Sequence, residues 1–278
     1  MASSLAQLPA ALTGALRRGR AAVVRPSEGA DYLRERVAEW RDGRRGPWPY
    51  AITDPFEERV HDLAGGRWPC QEGPQFEDVW ASAVEDVAAA GLQVGRLSFG
   101  RWDDGDPRLG RLAWCLVRHL RPQVVVETGV ARGLTTRTLL EGLQNNGVGR
   151  LWSIDLPPFV DGRAQETAIA VPWRLRDRWT LLSGSSRKRL PKLLHTLGQV
   201  DLFVHDSSHT ARNVRFELEQ VWPALPPGGA VLIDDVEKNA ATGEFIRAHP
   251  DARPVIGRSD DGDVLIACII KSGSADYA

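Results

Sequence analysis

The spacing of apolar residues changes near residue 105 of the chain. Beyond that point, short apolar runs rich in β-branched residues alternate with longer stretches in which apolar residues recur with the period of a helix. Such alternation is typical of βαβ units around a parallel sheet. It predicts strands, with a helix after most of them, at residues 124–127, 151–155, 179–183, 202–205 and 230–234.

The last two apolar runs are arranged differently. PVIG and VLIACII, within residues 253–270, are separated by RSDDGD, and an Asp-Gly pair such as Asp261-Gly262 is typical of the tight turn between antiparallel strands. We therefore expect an α/β fold whose sheet is doubly wound, mostly parallel and seven-stranded, and ends in an antiparallel hairpin.

Residues 1–100 show helical periods without alternating strands. Helices are predicted at residues 4–18, 31–40 and 75–90. Tryptophans give this region large side chains with which to pack: Trp40, Trp48, Trp68 and Trp80. We interpret residues 1–100 as an N-terminal helical cap or assembly region, and residues 101–278 as the domain that binds the ligand.

The charge balance argues against a polyanionic partner. The 278 residues carry 35 basic and 36 acidic side chains, a formal net charge of -1. Nucleic-acid binding depends on a basic surface, so we expect no nucleic-acid partner. No apolar run approaches the roughly 18 residues of a membrane span, and at the start of the chain the charges follow the apolar stretch, the reverse of a secretory signal. We expect a cytoplasmic protein with no membrane partner.

The cysteines and most histidines suggest no further site. Cys70, Cys115 and Cys268 lie far apart and in no metal-ligand spacing, which favours structural thiols in a reducing compartment. Several histidines lack an acidic partner in register, and we interpret them as ordinary: His61, His119, His195 and His249.

A glycine-containing turn follows the first predicted strand. Glu127 ends the strand, and Gly129 and Gly133 allow the backbone to turn tightly into a helix and to approach a ligand. Dinucleotide-binding folds have Gly-x-Gly-x-x-Gly here, because a diphosphate must contact the backbone. The carboxylate of Glu127 would repel a diphosphate but could accept a hydrogen bond, directly or through water, from the amino group of S-adenosylmethionine (SAM). Thr128, Ala131 and Thr135 belong to the same predicted site.

Two later segments extend this predicted cofactor site. Asp155 ends the second strand, where its oxygens can accept both ribose hydroxyls of a nucleoside, and Leu156 follows it. Gly184 and Ser185, after the third strand, fall where adenine would lie. Asp206, at the end of the fourth strand, faces the same edge of the sheet. Together these residues predict SAM as the cofactor.

Carboxylates and an imidazole follow the fourth and fifth strands. Asp206, Asp234 and Asp235 are expected to converge at the carboxyl edge of the sheet, where a cation or a proton must offset their repulsion. Oxygen ligands suit Mg²⁺ or another hard divalent cation. His209, three residues after Asp206, is a candidate general base. We expect Asp206, Asp234 and Asp235 to bind the metal, and Asp206 and His209 to be catalytic.

Four segments carry a resemblance to a known family. ETGVARGLTT, LWSIDLPP, DLFVHDSSHT and PPGGAVLIDDV occur in the order and at the spacing of class I SAM-dependent methyltransferases. The chain most resembles the bacterial branch related to cephalosporin hydroxylase-type proteins and macrolide sugar O-methyltransferases, a branch of secondary metabolism. The resemblance implies a Rossmann-like methyltransferase fold and makes residues 101–278 a SAM-binding methyltransferase domain.

The resemblance also implies roles at the reacting end. Asp206, His209 and Asp235 match the positions that the sugar O-methyltransferases use for metal and base. Asp234 stands where those enzymes have a glutamate, and its side chain is shorter by one methylene, so the third metal ligand departs from the family pattern.

The leading hypothesis is methyl transfer to a hydroxyl of a sugar or another small metabolite, assisted by a divalent cation. Metal-independent methylation of nitrogen, carbon or oxygen is an alternative, and a non-catalytic SAM-binding protein is another. An NAD-dependent oxidoreductase is disfavoured by the missing Gly-x-Gly-x-x-Gly. Phe159 and Trp173, in the long segment after the second strand, are expected to border the acceptor. An apolar N-terminal helix would suit a homo-oligomer.

Overall fold

The computed structural model describes residues 26–44, 48–96, 98–99, 104–156, 165–260, 262 and 264–273. The predicted helix at residues 4–18, Phe159 and Asp261 lie outside these residues. The strands are β1 Val124–Thr128, β2 Arg150–Asp155, β3 Trp179–Ser183, β4 Leu202–His205, β5 Ala230–Ile233, β6 Ala252–Arg258 and β7 Leu265–Lys271. The α-helices of the described residues are α1 Pro26–Asp42, α2 Phe56–Leu63, α3 Gly73–Ala89, α4 Arg108–Leu120, α5 Leu134–Asn146, α6 Ser186–Leu197, α7 Ala211–Val221 and α8 Ala241–Ala248.

The strands form one seven-stranded sheet in the order β3-β2-β1-β4-β5-β7-β6. Strands β1 to β5 run parallel, whereas β7 pairs antiparallel with both β5 and β6. The order reverses between β1 and β4, and ligands of open α/β sheets bind beside such a reversal. The predicted doubly wound sheet and its terminal hairpin are confirmed.

Both faces of the sheet are buried, as parallel strands require. Val125 of β1 points into a core shared with α2, α4 and α5, and Val126 points into the opposite core with α6, α7 and α8. The short strands are therefore almost continuously apolar, which is why their positions could be read from the sequence.

Helices of the first hundred residues pack on this domain. Phe56 and Val60 of α2 enter the core that faces β1, and Gly257 of β6 leaves room for the Phe56 ring, which an added Cβ would strike. Helix α1 lies against α7. Helices α1 and α3 correspond to the segments predicted at 31–40 and 75–90, whereas α2 was not predicted.

A transmembrane helix is not found within the described residues, because none of their helices is both long enough and apolar enough to cross a bilayer.

Candidate active site

The turn after β1 has backbone geometry that requires glycine. Gly129 has a φ of 88°, and a Cβ at this position would collide with the carbonyl oxygen of Asp206. Gly133, with a φ of 85°, begins α5, and a Cβ there would lie 3.1 Å from the Cα of Ala168. Ala131, between them, also has a positive φ, of 47°. The turn is thus packed tightly against the end of β4 and against residues 168–171.

Glu127 lies beneath this turn and is fully buried. Its Oε2 accepts hydrogen bonds from Thr136 Oγ1 at 2.8 Å and from Ser153 Oγ at 2.7 Å. Its Oε1 is buried and has no hydrogen-bond partner among the described residues. Burial, with a smaller contribution from the charge of Asp155, raises the pKa of Glu127 to about 7. One acceptor oxygen of Glu127 is therefore open to a further donor, since no described residue supplies one.

Asp155 lies beside the same turn. Its Oδ1 accepts a hydrogen bond from the backbone N–H of Val130 at 3.1 Å, and burial raises its pKa. The carbonyl of Asp155 accepts from the N–H of Gly184 at 2.8 Å, which fixes the start of the predicted adenine segment. The turn, the end of β2 and Gly184 are thus joined, as the predicted cofactor site requires.

The remaining predicted cofactor residues differ in orientation. Thr135 is half-buried in the first turn of α5, and Leu156 is half-buried directly after β2. Ser185 precedes α6, and its hydroxyl donates to Asp31 of α1 at 3.3 Å. Thr128 is fully buried, and its hydroxyl donates to Glu217 Oε2 at 2.6 Å, so its side chain is engaged with α7.

Glu217 is the centre of a buried polar network under the end of β4. It accepts from Thr128 and, at 2.7 Å, from His205 Nδ1. Burial alone would raise its pKa, but the charge and hydrogen bond of His205 lower the pKa to about 2. Ser207 and Asn213 also donate to this carboxylate. The network holds the segment after β4, which leads to Asp206 and His209.

Three side chains at that end come together as predicted from their positions after β4 and β5. The ligand atoms of Asp206, His209 and Asp234 all lie within 4.8 Å of one another. Burial first, and then repulsion between neighbouring carboxylates, raises the pKa of both Asp206 and Asp234 well above the ordinary value. The cluster therefore favours a proton or a cation among its oxygens.

His209 presents its Nε2 to the carboxylates. This nitrogen lies 3.3 Å from Asp235 Oδ2 and 3.8 Å from Asp206 Oδ1. Burial lowers the pKa of His209 to about 4, so the imidazole is neutral near neutral pH. Its backbone carbonyl accepts a hydrogen bond from Asn239 Nδ2 at 2.9 Å, which anchors the loop that carries it.

Asp235 stands apart from the other two acids. It adopts a left-handed backbone conformation, with a φ of 55°, and its carboxylate pairs with the ammonium group of Lys238 as well as with His209. The expected metal set was Asp206, Asp234 and Asp235, whereas the structure groups His209 with Asp206 and Asp234. The sequence analysis did not single out Lys238, which adds a positive charge beside the cluster.

Arg132 lies within the turn after β1 and anchors it, although the sequence analysis did not single it out. Its guanidinium is almost completely buried and forms ion pairs with Asp104 at 3.0 Å and with Glu166 at 2.8 Å. It also donates to the carbonyls of Gln93 and Ser98. An arginine within a glycine-containing turn is the only sequence signal, and it does not identify these distant partners.

Helix α1 contributes acidic side chains to the rim of the site. Glu35 accepts hydrogen bonds from Thr210 and Arg212, and Asp42 accepts from the N–H of Ala211 at 2.7 Å. These contacts hold the start of α7, next to His209. Trp173, a predicted wall of the acceptor site, is 82% exposed.

Comparison with known proteins supports a methyltransferase. Residues 126–236 match a family model described as a methyltransferase domain. The O-methyltransferase from Bacillus cereus in complex with S-adenosylhomocysteine (SAH) is 18% identical, with a TM-score of 0.52 over 78% of this chain and 99% of that one. The O-methyltransferase TomG from Streptomyces achromogenes, involved in tomaymycin synthesis and bound to SAM, is 16% identical, with a TM-score of 0.52 over 70% of this chain and 90% of that one. The sequence matches none of the curated proteins with which it was compared.

The matched residues contain the turn after β1, both acidic strand ends and the cluster around His209. The solved structures share the fold. Residues 126–236 therefore resemble a methyltransferase domain, and the chain has the class I methyltransferase fold.

Proposed function

We propose that this protein is a SAM-dependent methyltransferase that transfers the methyl group of SAM to a hydroxyl oxygen of a small molecule such as a sugar or another metabolite. The observation that carries the proposal is the meeting of Asp206, His209 and Asp234 at the edge of the sheet, directly beside the turn at Gly129. Methyl transfer to oxygen needs an aligned and deprotonated acceptor, and this cluster supplies groups that can provide both.

The cofactor side of the proposal rests on Glu127 and Asp155. Glu127 Oε1 is a buried acceptor without a partner among the described residues, and the amino group of SAM is a cationic donor of matching charge. Asp155, at the end of β2, is placed to accept from the ribose hydroxyls. SAM supplies an electrophilic methyl group whose sulfur is already a good leaving group, so the protein must chiefly position the acceptor.

The carboxylates fit a divalent cation by the chemistry of their donor atoms. Asp206 and Asp234 offer hard oxygen ligands, burial and then repulsion from neighbouring carboxylates raise the pKa of each, and Mg²⁺ or Mn²⁺ would offset that repulsion. We propose that Asp206 and Asp234 hold the ion, with Asp235 nearby. A bound ion would lower the pKa of an acceptor hydroxyl.

His209 is then the proton acceptor. Its pKa of about 4 leaves the imidazole neutral near neutral pH, so one ring nitrogen is free to take the proton. Asp235 at 3.3 Å from Nε2 would stabilise the imidazolium that results. Asp206 positions the acceptor at the same edge.

One observation favours a metal-independent alternative. The ammonium group of Lys238 already pairs with Asp235 and partly offsets the negative charge of the cluster. In that case Asp206 and His209 would align and deprotonate the acceptor without an ion. The role of His209 also differs between the two possibilities, since a nitrogen that binds an ion cannot accept a proton.

The experiment combines ion binding with turnover. Calorimetry with Mn²⁺ on the SAH complex should show binding that is lost in Asp234→Asn and retained in His209→Gln. Turnover is followed with radiolabelled SAM against a panel of sugars and phenols. His209→Gln should reduce turnover about 100-fold or more while the affinity for SAH stays unchanged.

Three outcomes separate the possibilities. If His209→Gln abolishes Mn²⁺ binding, His209 is a ligand and not the base. Turnover that EDTA leaves intact would exclude the ion and support the alternative with Lys238. No transfer to any hydroxyl, together with transfer to amines, would reject oxygen as the acceptor atom.

A further inference from the structure

A second group of metal-binding side chains lies outside the candidate active site. His61 is on α2, Cys70 is in the loop between α2 and α3, and Cys115 and His119 are one turn apart on α4. The ligand atoms of His61, Cys70 and His119 all lie within 4.8 Å of one another. Residues from two helices and from the loop between α2 and α3 therefore meet at one point.

Cys115 is outside this group of three, but its distance from Cys70 Sγ and that of His119 both suit a tetrahedral ion. Cys70 Sγ is 3.5 Å from Cys115 Sγ and 3.6 Å from His119 Nε2. Zinc binds sulfur at about 2.3 Å and nitrogen at about 2.0–2.1 Å, which gives tetrahedral edges of about 3.8 Å between two sulfurs and about 3.5 Å between sulfur and nitrogen. The sulfurs are also much farther apart than the roughly 2.05 Å of a disulfide bond.

His61 is oriented as a metal ligand would be. Its Nδ1 lies 2.6 Å from the carbonyl oxygen of Glu57, and since a carbonyl only accepts, Nδ1 carries the proton. Nε2 then has a free lone pair, and it is buried without a hydrogen-bond partner among the described residues. Ligating histidines in proteins usually have this arrangement, in which the second nitrogen donates to a backbone carbonyl.

The loop closes directly over the other imidazole. Gly66 lies so near that a Cβ on it would be 3.0 Å from His119 Nε2, and its N–H donates to the carbonyl of His61 at 2.8 Å. The glycine therefore brings the loop into contact with both histidines.

We propose that His61, Cys70 and His119 bind a zinc ion that fastens the loop between α2 and α3 to α4, and that Cys115, whose Sγ is 3.5 Å from Cys70 Sγ, turns its thiol toward the ion as the fourth ligand. Two thiolates and two imidazoles select zinc over Mg²⁺ or Ca²⁺, unlike the oxygen ligands at Asp206 and Asp234. Binding releases the thiol protons of Cys70 and Cys115 to solvent. The ion has a structural role, because four protein ligands leave no open position for a substrate.

Metal content of the purified full-length chain tests the proposal. After growth with zinc, mass spectrometry of the metal should find about one zinc ion per chain. Cys70→Ser and His119→Ala should each lose it, whereas His195→Ala, at an exposed histidine of α6, should retain it. Asp206→Asn should retain it as well, which separates this site from the candidate active site.

A spectroscopic measurement on the unmodified chain covers the case in which a variant does not fold. Replacing zinc by Co²⁺ should produce a thiolate-to-cobalt charge-transfer band and the intense visible bands of a tetrahedral ion. Removing the zinc with a strong chelator should lower the melting temperature by about 5 °C or more.

Two results would overturn the proposal. One is a chain that takes up neither zinc nor Co²⁺ with thiolate bands. The other is a disulfide between Cys70 and Cys115, found by peptide mapping of protein prepared without reductant in the presence of zinc.

Discussion

Replacing Glu127 by glutamine removes one buried charge and nearly preserves the shape of the side chain. Burial raises the pKa of Glu127 from 4.5 to about 7, which corresponds to about 3 kcal/mol against the ionised form. Because the folded-state pKa is raised, the associated stability is complete below a pH of 4.5 and is lost as the pH rises through about 7. Glutamine does not titrate, so the variant should show no such loss.

We therefore expect the free energy of unfolding of the unmodified chain to fall, relative to Glu127→Gln, by up to about 3 kcal/mol between about pH 5 and pH 8. Urea denaturation followed by tryptophan fluorescence measures the difference. Glu219→Gln, at an exposed position of α7, is the matched control and should follow the unmodified chain. Parallel pH profiles for the unmodified chain and Glu127→Gln would refute the reasoning.

The same variant tests the cofactor contact. A hydrogen bond to a charged group contributes about 1.5–3 kcal/mol, so Glu127→Gln should bind SAH about tenfold or more weakly at about pH 8. The difference should shrink near pH 6, where Glu127, with its pKa of about 7, is largely protonated. Calorimetry at both pH values measures it, and equal affinities at pH 8 would show that Glu127 does not receive the amino group.

Three further predictions concern the surrounding framework. Glu217→Gln should lower the free energy of unfolding by about 3 kcal/mol above a pH of 4.5, because the pKa of Glu217 is lowered in the folded chain. The unmodified chain should lose this stability as the pH falls toward about 2, and acid unfolding curves of the two proteins check the difference. Gly129→Ala should destabilise the chain by more than about 3 kcal/mol. Gly147 has a positive φ but open space around it, so Gly147→Ala should destabilise the chain by only about 1–2 kcal/mol. The midpoints of urea denaturation of the two variants measure the difference. Arg132→Met should lower the free energy of unfolding by about 3 kcal/mol or more, because it leaves without a counter-charge two carboxylates that the buried guanidinium neutralises. A melting temperature equal to that of the unmodified chain would contradict this.

The strands were predictable because each is specified by a short run of neighbouring residues. Each parallel strand is a short apolar run buried on both faces, and glycine or an acidic residue marks its end, as in the turn from Glu127 to Gly133. Helix α2 could not be found this way. It has eight residues, and it is held by Phe56 against Gly257, a contact between distant parts of the chain.

The reacting end was predictable only in part. Asp206 and Asp234 follow neighbouring strands, so topology alone brings them together. The pairing of Asp235 with Lys238 depends on the left-handed backbone at Asp235. The residue type alone does not predict that conformation. The grouping of Cys70 with His61 and His119 likewise arises from helix packing, because no short spacing in the sequence relates the loop to α4.

Helix α1 contacts two predicted parts of the site. Glu35 and Asp42 of α1 hold the start of α7, which follows His209, and Asp31 accepts a hydrogen bond from Ser185 before α6. A shortened chain that lacks α1 would lose these acceptors, whereas Glu127 and Asp155 would keep their own hydrogen bonds within the sheet domain. Changes in this one helix can therefore alter the surroundings of His209 while the turn after β1 stays the same.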